Sequence, residues 1–245
     1  MNAVLLGATR GMGRALARLM AARKDRLFLL GRDADELQRS AHDLEALGAA
    51  GEVGFAQCDL ERADGFAAAL DRAQDALGRL ETVVVTAAQF ASQEELENDA
   101  ALRDRLLTVN FTNTIHFCEE ARRRLLEGGG GTLCVFSSVA GDRARKPVLL
   151  YGATKAGLSH YLNGLDHKFR RSGLKTVLIK PGFVRTSMTA GLPEPPFTGE
   201  PGQVARIALR ALDRGKPVTY APKIWRWVMF CVRLLPRAVM RRAKF

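Results

Sequence analysis

The sequence predicts an α/β fold in which a single doubly wound parallel sheet has helices on both faces. Two observations indicate this fold: short strands that are apolar throughout alternate with helical stretches, and a glycine-rich turn directly follows the first strand. Fully apolar strands are typical of a parallel sheet that is buried on both faces. Such a sheet binds its ligand beyond the carboxyl ends of the strands, so we expect the functional residues there.

The elements follow one another in a regular order. Apolar runs bounded by turn residues predict six strands, at residues 3–6, 27–30, 52–57, 82–86, 132–136 and 176–180. Apolar residues at helical spacing predict the helices, at residues 12–22, 34–47, 63–77, 96–126 and 149–171. Glycines at or near the helix ends suit C-caps, and the prolines of residues 193–196 predict an irregular segment after the sixth strand.

The composition suits one globular domain. Of the 245 residues, 47% are hydrophobic and 26% are charged, which provides for a sizeable core and excludes a disordered chain. No run of about 20 uncharged apolar residues occurs, so we expect no membrane-spanning helix. The apolar run at residues 2–6 is short and lacks a basic leader, so we expect no export signal. The four cysteines have no Cys-x-x-Cys spacing, which predicts reduced thiols in a cytosol and no metal site.

Most of the net charge of +11 lies at the C-terminus. Residues 223–245 contain seven basic residues and no acidic ones, which leaves +4 for residues 1–222. We therefore divide the chain into a cofactor-binding body, residues 1–222, and a basic aromatic tail, residues 223–245. A basic excess indicates a nucleic acid, an acidic ligand or an anionic membrane as partner. Because the body is nearly balanced and the tail arginines have apolar neighbours, we expect no nucleic acid.

The turn after the first strand reads Gly7-Ala8-Thr9-Arg10-Gly11-Met12-Gly13 and opens directly into a helix. Glycines there let the backbone turn sharply and approach a pyrophosphate, whose charge is favoured by the free N–H groups of the helix N-terminus. The spacing differs from the commoner Gly-x-Gly-x-x-Gly, and a purely structural turn is the alternative. Its position at the start of a βαβ unit favours a dinucleotide site.

The end of the second strand bears on the choice of dinucleotide. It reads Gly31-Arg32, where an NAD site usually has an acidic residue on the ribose 2′-hydroxyl. Arg32 and Arg10 instead predict charge-assisted hydrogen bonds to the 2′-phosphate of NADP, with two solvated surface arginines as the alternative. Asp59, just past the third strand, suits either an adenine contact or the cap of the following helix.

A candidate acid–base pair lies in the last predicted helix. Tyr151 and Lys155 are four residues apart, so their side chains lie on one helix face. A phenol with a pKa of about 10 is a poor acid–base group at neutral pH unless a cation stabilises its phenolate, as Lys155 can do. Tyr151 would then exchange a proton with a substrate oxygen as hydride moves to or from a nicotinamide. Ser138 can hold the same oxygen, and Asn110 can bind a water that relays protons to Lys155; taken singly, each residue is as readily structural.

Together these motifs resemble the short-chain dehydrogenase/reductases, which have a Rossmann fold. The matching segments, in family order over about residues 1–220, are the glycine-rich turn, Asp59-Leu60, Asn110, Ser137-Ser138, Tyr151 with Lys155, and Pro181-Gly182-Phe183-Val184-Arg185-Thr186. The resemblance implies a catalytic tetrad of Asn110, Ser138, Tyr151 and Lys155. It implies a contact of Thr186 with the nicotinamide carboxamide. The residues expected around NADP(H), which we predict to be preferred over NAD(H), are Gly7, Thr9, Arg10, Gly11, Met12, Gly13, Arg32, Asp59, Leu60, Ala87, Tyr151, Lys155, Pro181, Gly182, Val184 and Thr186.

Two positions depart from the family pattern. Leu6 stands where the family usually has threonine, and Val85-Thr86-Ala87-Ala88 replaces the usual Asn-Asn-Ala-Gly. Both positions brace the loop and the sheet. The departures therefore affect rigidity and cofactor fit more than chemistry.

Two loops bear on the substrate. By the resemblance, residues 188–198 form the variable lid over the substrate, and Phe183, Met188, Leu192 and Phe197 would make it apolar, unless they simply pack on the core. A basic turn, Asp142-Arg143-Ala144-Arg145-Lys146, follows Ser138 near the expected mouth of the site. It suits a phosphate, and a solvated loop is the alternative.

The tail contains both tryptophans and forms an amphipathic helix that Pro236 breaks or hinges. At about 100° per residue, Arg226, Arg233, Arg237 and Arg241 share one face, while Ile224, Trp225, Val228, Val232 and Leu235 lie largely opposite. Such a helix suits the interface of an anionic membrane. The alternative is a helix that completes the core or an oligomer contact.

Residues 141–158, 177–188 and 220–242 resemble one subgroup of the family, the reductases of decaprenylphosphoryl 2-keto-ribose. The resemblance implies an oxidase partner that makes the ketone, and a homodimer or homotetramer that packs through the helices around Asn110 and Tyr151. We predict an NADP(H)-dependent reductase of a hydrophobic ketone, such as a keto-sugar on a polyprenyl phosphate, at the cytoplasmic face of a membrane. One alternative is a soluble reductase of 3-oxoacyl groups on an acidic carrier protein, which Arg122-Arg123-Arg124 or Arg170-Arg171 would dock. The other is a nucleotide-binding subunit without turnover.

Overall fold

Seven parallel strands form one sheet in the computed structural model, which describes residues 1–243. The strands are β1 (Asn2–Leu6), β2 (Arg26–Gly31), β3 (Gly54–Gln57), β4 (Thr82–Val85), β5 (Gly131–Phe136), β6 (Leu174–Pro181) and β7 (Val218–Ala221). Their order in the sheet is β3-β2-β1-β4-β5-β6-β7, so the direction of winding reverses between β1 and β4. This confirms the predicted doubly wound fold and puts the ligand crevice beyond those two strands.

Ten α-helices surround the sheet within residues 1–243. They are α1 (Gly11–Ala22), α2 (Ala34–Ala46), α3 (Phe66–Leu77), α4 (Gln93–Asn98), α5 (Ala100–Leu107), α6 (Asn113–Glu127), α7 (Leu149–Phe169), α8 (Pro201–Arg214), α9 (Trp225–Leu234) and α10 (Arg237–Arg242). Of these helices, none is long and apolar enough to cross a membrane.

The core has two layers because successive strand residues point to opposite faces of the sheet. In β1, Val4 and Leu6 pack with side chains of α3, α6 and α7. Ala3 and Leu5 pack with side chains of α1, α2 and α8 on the other face. A strand covered on both faces cannot alternate apolar with polar residues, which is why β1 is apolar throughout.

The helix predicted over residues 96–126 is interrupted. Ser92 and Glu95 form a capping box that starts α4, and the Asp99 carboxylate accepts from the Leu102 N–H at 2.9 Å and starts α5. A π-helical turn, Thr108–Thr112, then separates α5 from α6. The apolar spacing continues across these breaks, so periodicity alone could not locate them.

Sequence reasoning missed α8 and β7. The strand has only four residues and gives a weak signal. The buried residues of α8 do have helical spacing, so this helix could have been found: they are Val204, Ala205, Ala208, Ala211 and Leu212. Most strand boundaries also shift by one or two residues; for example, β3 starts at Gly54, β4 ends at Val85 and β6 starts at Leu174.

The tail forms a helix that ends before Pro236, as predicted, but its orientation corrects the prediction. Trp225 and Met229 are buried against Val139, and Val228 and Val232 pack at the edge of the same cluster. The apolar face predicted to be free therefore lies largely against the body, which offers it an apolar surface beside β7. Lys244 of the predicted basic tail lies outside the described residues.

Candidate active site

The glycine-rich turn leaves β1 at the switch point of the sheet. Gly7 has φ +95° and Gly11 has φ +54°, backbone conformations that favour glycine. A Cβ at Gly7 would lie 2.6 Å from the Ala87 nitrogen, and one at Gly13 would lie 2.3 Å from the Gly7 oxygen. Side chains are therefore excluded at Gly7 and Gly13, which leaves the backbone there accessible to a ligand at the start of α1.

Thr86 holds this turn against β4. Its hydroxyl lies 2.9 Å from the Gly7 carbonyl oxygen and 3.2 Å from that of Leu6, and donates to them. Thr86 occupies one of the positions that depart from the family pattern. Here a threonine hydroxyl braces the loop at that position.

A crevice of about 440 Å³ opens beyond β1 and β4. The expected cofactor residues that line it are Gly7, Thr9, Arg32, Asp59, Leu60 and Ala87. Met12 does not join them, because its side chain packs against the core layer beneath α1. The crevice thus has a glycine cradle at one end, and this arrangement fits the pyrophosphate of a dinucleotide.

Arg32 stands free beside this crevice. It is exposed, makes no ion pair within residues 1–243, and also lines an adjoining pocket of about 270 Å³ together with Arg62. The neighbouring Asp33 carboxylate accepts from the Glu36 N–H at 3.0 Å and caps α2. Arg10, the other arginine expected at the 2′-phosphate, is exposed and forms only a long ion pair, with its guanidinium 3.6 Å from the Glu36 carboxylate.

Asp59 and Leu60, which follow β3, line the floor of the crevice. Asp59 accepts from the Glu61 N–H at 3.0 Å, and the N-cap of α3 is Gly65, so Asp59 does not cap that helix. The buried Asn113 amide donates to the Leu60 carbonyl at 2.8 Å. Arg62 and Asn113 were both missed by sequence reasoning, since neither belongs to a motif, although each lies three residues after a predicted site residue.

The acid–base pair lies on α7, which packs very closely on the turn after β5. A Cβ at Gly141 would lie 2.6 Å from the Ala156 nitrogen, and one at Gly152 would lie 2.8 Å from the Ala140 oxygen. This close approach sets the Ser138 hydroxyl beside the Tyr151 phenol. Burial raises the pKa of Tyr151 to about 12, and the neighbouring Ser138 hydroxyl opposes that rise.

Lys155 is buried beneath Tyr151. Its side chain is only 2% exposed, and burial lowers the pKa of its ammonium to about 8. The Nζ atom lies 5.6 Å from the centroid of the Tyr151 ring and donates to the Phe136 carbonyl oxygen at 3.4 Å. No carboxylate within residues 1–243 forms an ion pair with it, so its charge can act on the phenol.

Further side chains fix this pair. The hydroxyls of Ser137 and Ser159 both donate to the Lys155 carbonyl oxygen, at 2.9 and 2.7 Å. Phe90 packs edge-on against Tyr151, with ring centroids 5.2 Å apart. Phe90 and Ser159 carry no sequence signal of their own and were missed.

Asn110 lies in the π-helical turn and is buried. Its amide bonds twice to Gln89: it accepts from the Gln89 N–H at 2.7 Å and donates to the Gln89 carbonyl at 2.7 Å. The amide thereby ties the loop after β4 to the π-helical turn. The water relay predicted for Asn110 stays a prediction.

The segment after β6 closes the crevice from above. Thr186 lies against the glycine-rich turn, because a Cβ at Gly11 would meet its methyl group at 3.4 Å. Val184 and Pro181 are buried, and the Gly182 N–H donates to the Ala221 carbonyl at 3.0 Å. The structure thus brings the four remaining cofactor candidates of this segment to the same edge of the sheet as Tyr151.

Taken together, the site can bind a dinucleotide and deliver a proton to an oxygen beside it. No group of three or more His, Cys, Asp and Glu side chains suited to a metal ion occurs in the part of the chain that the structure describes. All four cysteines are free.

Comparisons with known proteins agree with this geometry. A family model described as short chain dehydrogenase matches residues 1–196. An uncharacterized oxidoreductase of Mycobacterium tuberculosis is 33% identical over 241 residues, which cover 98% of this chain and 95% of the relative. One from Streptomyces coelicolor is 34% identical over 242 residues, covering 98% and 94%. A solved short-chain type dehydrogenase/reductase from Mycobacterium ulcerans has a TM-score of 0.82 at 25% identity, over 89% of this chain and 86% of that one.

Proposed function

The chain belongs to the short-chain dehydrogenase family, and from this premise we propose that it is an NADPH-dependent reductase of a hydrophobic, lipid-linked ketone. The family uses a nicotinamide cofactor, NAD or NADP. The observation that carries the proposal is the acid–base arrangement itself: the Tyr151 phenol lies beside the Ser138 hydroxyl and above the buried Lys155, which has no ion-pair partner among residues 1–243.

The side chains divide the work of reduction. NADPH, when bound, supplies the hydride. The hydroxyls of Ser138 and Tyr151 hold the carbonyl oxygen of the substrate, and Tyr151 gives that oxygen its proton. The cation of Lys155 stabilises the phenolate that remains on Tyr151. The Asn110 amide positions the loop after β4 and so keeps the mouth of the crevice open.

Arg32 supports the preference for NADPH. A 2′-phosphate beside this guanidinium would gain a charge-assisted hydrogen bond, about 1.5–3 kcal/mol, which corresponds to a preference of roughly 10- to 150-fold. Asp33, next to Arg32 in the sequence, is an acidic residue that could bind a ribose hydroxyl, but its carboxylate caps α2 by accepting from the Glu36 N–H. An Arg32→Asp variant should lose most of the preference, measured as the ratio of kcat/KM values for NADPH and NADH. Arg72→Asp makes the same charge change on α3, at an exposed arginine without an ion pair among residues 1–243, and should leave the ratio unchanged; an unaltered ratio in Arg32→Asp would contradict the assignment.

The substrate proposal rests on the lid and on the basic turn. Met188 and Phe197 of the lid are exposed, which suits an apolar substrate. Arg143, Arg145 and Lys146 line a groove of about 590 Å³ next to the turn after β5. A keto-sugar on a polyprenyl phosphate combines an apolar chain with a phosphate and fits both features. By its chemistry, this substrate requires an oxidase partner that makes the ketone.

The carrier-protein alternative receives less support. Of its proposed docking arginines, all except Arg171 are already paired on the protein: Arg122 with Glu119, Arg123 with Glu120 and Glu127, and Arg124 with Asp71 and Glu120. Arg170 pairs with Asp166. An acidic carrier would have to displace these carboxylates.

A turnover screen tests the proposal. The purified chain is supplied with NADPH and with either keto-sugar polyprenyl phosphates or 3-oxoacyl carrier proteins, and cofactor oxidation is followed. Turnover of the lipid-linked ketone alone supports the proposal, and turnover of the carrier substrates alone replaces it with the alternative. Absence of turnover with every ketone, together with retained NADPH binding, would support the subunit without turnover. We also predict a homodimer or homotetramer that packs through the helices around Asn110 and Tyr151. Sedimentation velocity would test this by measuring the mass of the assembly in solution.

A further inference from the structure

The exposed large hydrophobic side chains of the protein are concentrated near the mouth of the candidate site. Within residues 1–243 there are eight, and all belong to the start of α7, the lid or the tail: Leu149, Met188, Phe197, Ile224, Trp227, Phe230, Leu234 and Val239. The tail contacts both the lid and the turn before α7. The Trp225 indole N–H donates to the Phe197 carbonyl at 3.1 Å, and Lys146 donates to the Arg241 carbonyl at 2.6 Å.

Helix α9 has a second apolar face that the sequence pattern did not separate from the first. Trp227, Phe230 and Leu234, here called the tail ridge, are 63%, 57% and 68% exposed. Their spacing of three and four residues aligns them along one side of the helix. That side is opposite the one on which Trp225 and Met229 are buried. Exposed aromatic and aliphatic groups in such a row mark an interaction surface.

The surroundings of the tail ridge are cationic. Arg226, Arg233, Arg237 and Arg241 are exposed, and none of them forms an ion pair within the described chain. One groove beside the ridge, of about 590 Å³, is lined by Lys216, Lys223, Arg226 and Trp227 itself. The groove at the basic turn adds Arg143, Arg145 and Lys146, where the buried Nε of Arg145 has no hydrogen-bond partner.

We propose that the tail ridge docks the protein on an anionic lipid surface, with Trp227, Phe230 and Leu234 in the headgroup boundary and the flanking arginines on lipid phosphates. Apolar side chains bordered by unpaired cations suit such a surface. A second copy of this chain is a poorer occupant, since pairing two ridges would bring arginine against arginine. As the lipid surface would present the substrate to the lid, the inference rests in that respect on the proposed function.

The opposite face of α9 connects docking to the site. A Cβ at Gly182 would lie 2.0 Å from the Trp225 Nε1 atom, so the indole packs directly on the backbone after β6. The same indole is bonded to Phe197 of the lid. One short helix therefore holds the lid on one side and presents the tail ridge on the other.

Vesicle sedimentation with the full chain tests the docking. Binding to vesicles of phosphatidylcholine with phosphatidylglycerol should be strong, and binding to phosphatidylcholine alone should be weak. A Trp227→Ser, Phe230→Ser double variant should bind the anionic vesicles at least tenfold more weakly, and Arg233→Ala about fivefold. Arg171→Ala removes an exposed arginine just before β6, whereas α9 packs on Gly182 after the other end of this strand, so the variant should bind as the parent does.

Fluorescence identifies the face that inserts. The emission of the parent chain should shift to the blue on anionic vesicles, and this shift should be lost in Trp227→Phe, whose remaining tryptophan is the buried Trp225. A shift that persists in Trp227→Phe would overturn the proposal, because the face now packed on the body would then insert. Equal binding to neutral and anionic vesicles would overturn it too, as would a Trp227-dependent dimer that does not bind vesicles.

Turnover of a water-soluble ketone separates this proposal from the catalytic one. The ridge variants should oxidise NADPH with such a ketone at the parent's rate, since no ridge residue touches the catalytic tetrad. Vesicle binding without any turnover would refute only the reductase proposal. Turnover without vesicle binding would refute only the docking.

Discussion

The charged side chain of the catalytic centre is buried, whereas the charged side chains that the structure describes in the tail are exposed. In the centre, Lys155 and Asn110 are buried, and the polar groups around them bond to the main chain at fixed distances. In the tail, Arg233 and Arg237 are exposed and have no carboxylate partner among the described residues. A side chain that holds one reacting oxygen needs a fixed position, which burial and hydrogen bonds provide. A side chain that binds an extended surface needs to be exposed and unpaired. Substitutions in the two regions should therefore change different quantities.

Tyr151→Phe should have the largest effect and should act on chemistry alone. The variant keeps the ring that packs on Phe90 but lacks the proton donor, so we expect turnover to fall by about 10²- to 10⁴-fold. NADPH affinity, measured by fluorescence titration, should change little. Turnover at the parent's rate would remove Tyr151 from the mechanism. Phe90→Leu, which changes the packing against the Tyr151 ring but keeps the phenol, is the control and should retain most of the turnover.

The centre was more predictable from the sequence than the tail. Tyr151 and Lys155 are neighbours on one helix, and Gly7 to Gly13 form one turn, so local spacing already indicates their geometry. Arg62, Phe90 and Asn113 each lie three residues after a predicted site residue, but they belong to no motif that marks them. In the tail, periodicity indicated an amphipathic helix, but α9 is apolar on two opposite sides. Which side packs on the body depends on the surface beside β7, a strand the sequence did not reveal.

The two tryptophans of α9 should differ sharply in their contribution to stability. Trp225→Ala removes a buried indole together with its hydrogen bond to Phe197, so we expect the free energy of unfolding to fall by about 3–5 kcal/mol. Trp227→Ala removes an exposed side chain and should change it by about 0.5 kcal/mol or less. Urea denaturation of both variants measures the difference. Equal losses would mean that the tail ridge is covered by protein.

The pH dependence of reduction should report the buried lysine. Burial lowers the pKa of Lys155 to about 8, so its ammonium is present below that pH and is lost as the pH rises through it. Tyr151, with a pKa of about 12, keeps its proton over the same range. We expect kcat/KM for reduction to be flat near neutral pH and to fall about tenfold by one pH unit above the pKa.

Lys155→Arg tests whether the fall in kcat/KM above the pKa comes from Lys155. A guanidinium stays charged in this range, so kcat/KM of the variant should not fall between pH 7 and 9, whatever its value at pH 7. The same fall in Lys155→Arg would assign the titration to another group. No tail variant should alter the profile, since the tail cations do not face the phenol.

The smallest expected effect concerns Thr86, which holds the glycine-rich turn where the family pattern has asparagine. Its hydroxyl donates to the Gly7 carbonyl at 2.9 Å, and a hydrogen bond of this kind contributes about 1 kcal/mol. Thr86→Val keeps the shape and removes the donor, so the turn should loosen and the dissociation constant of NADPH should rise about fivefold, as measured by calorimetry. Thr86→Ser keeps the hydroxyl and should bind NADPH nearly as the parent does. If valine and serine weaken binding equally, packing of the threonine methyl, and not the hydrogen bond, holds the turn. Vesicle binding should be the same in both variants, because nothing at Thr86 touches α9.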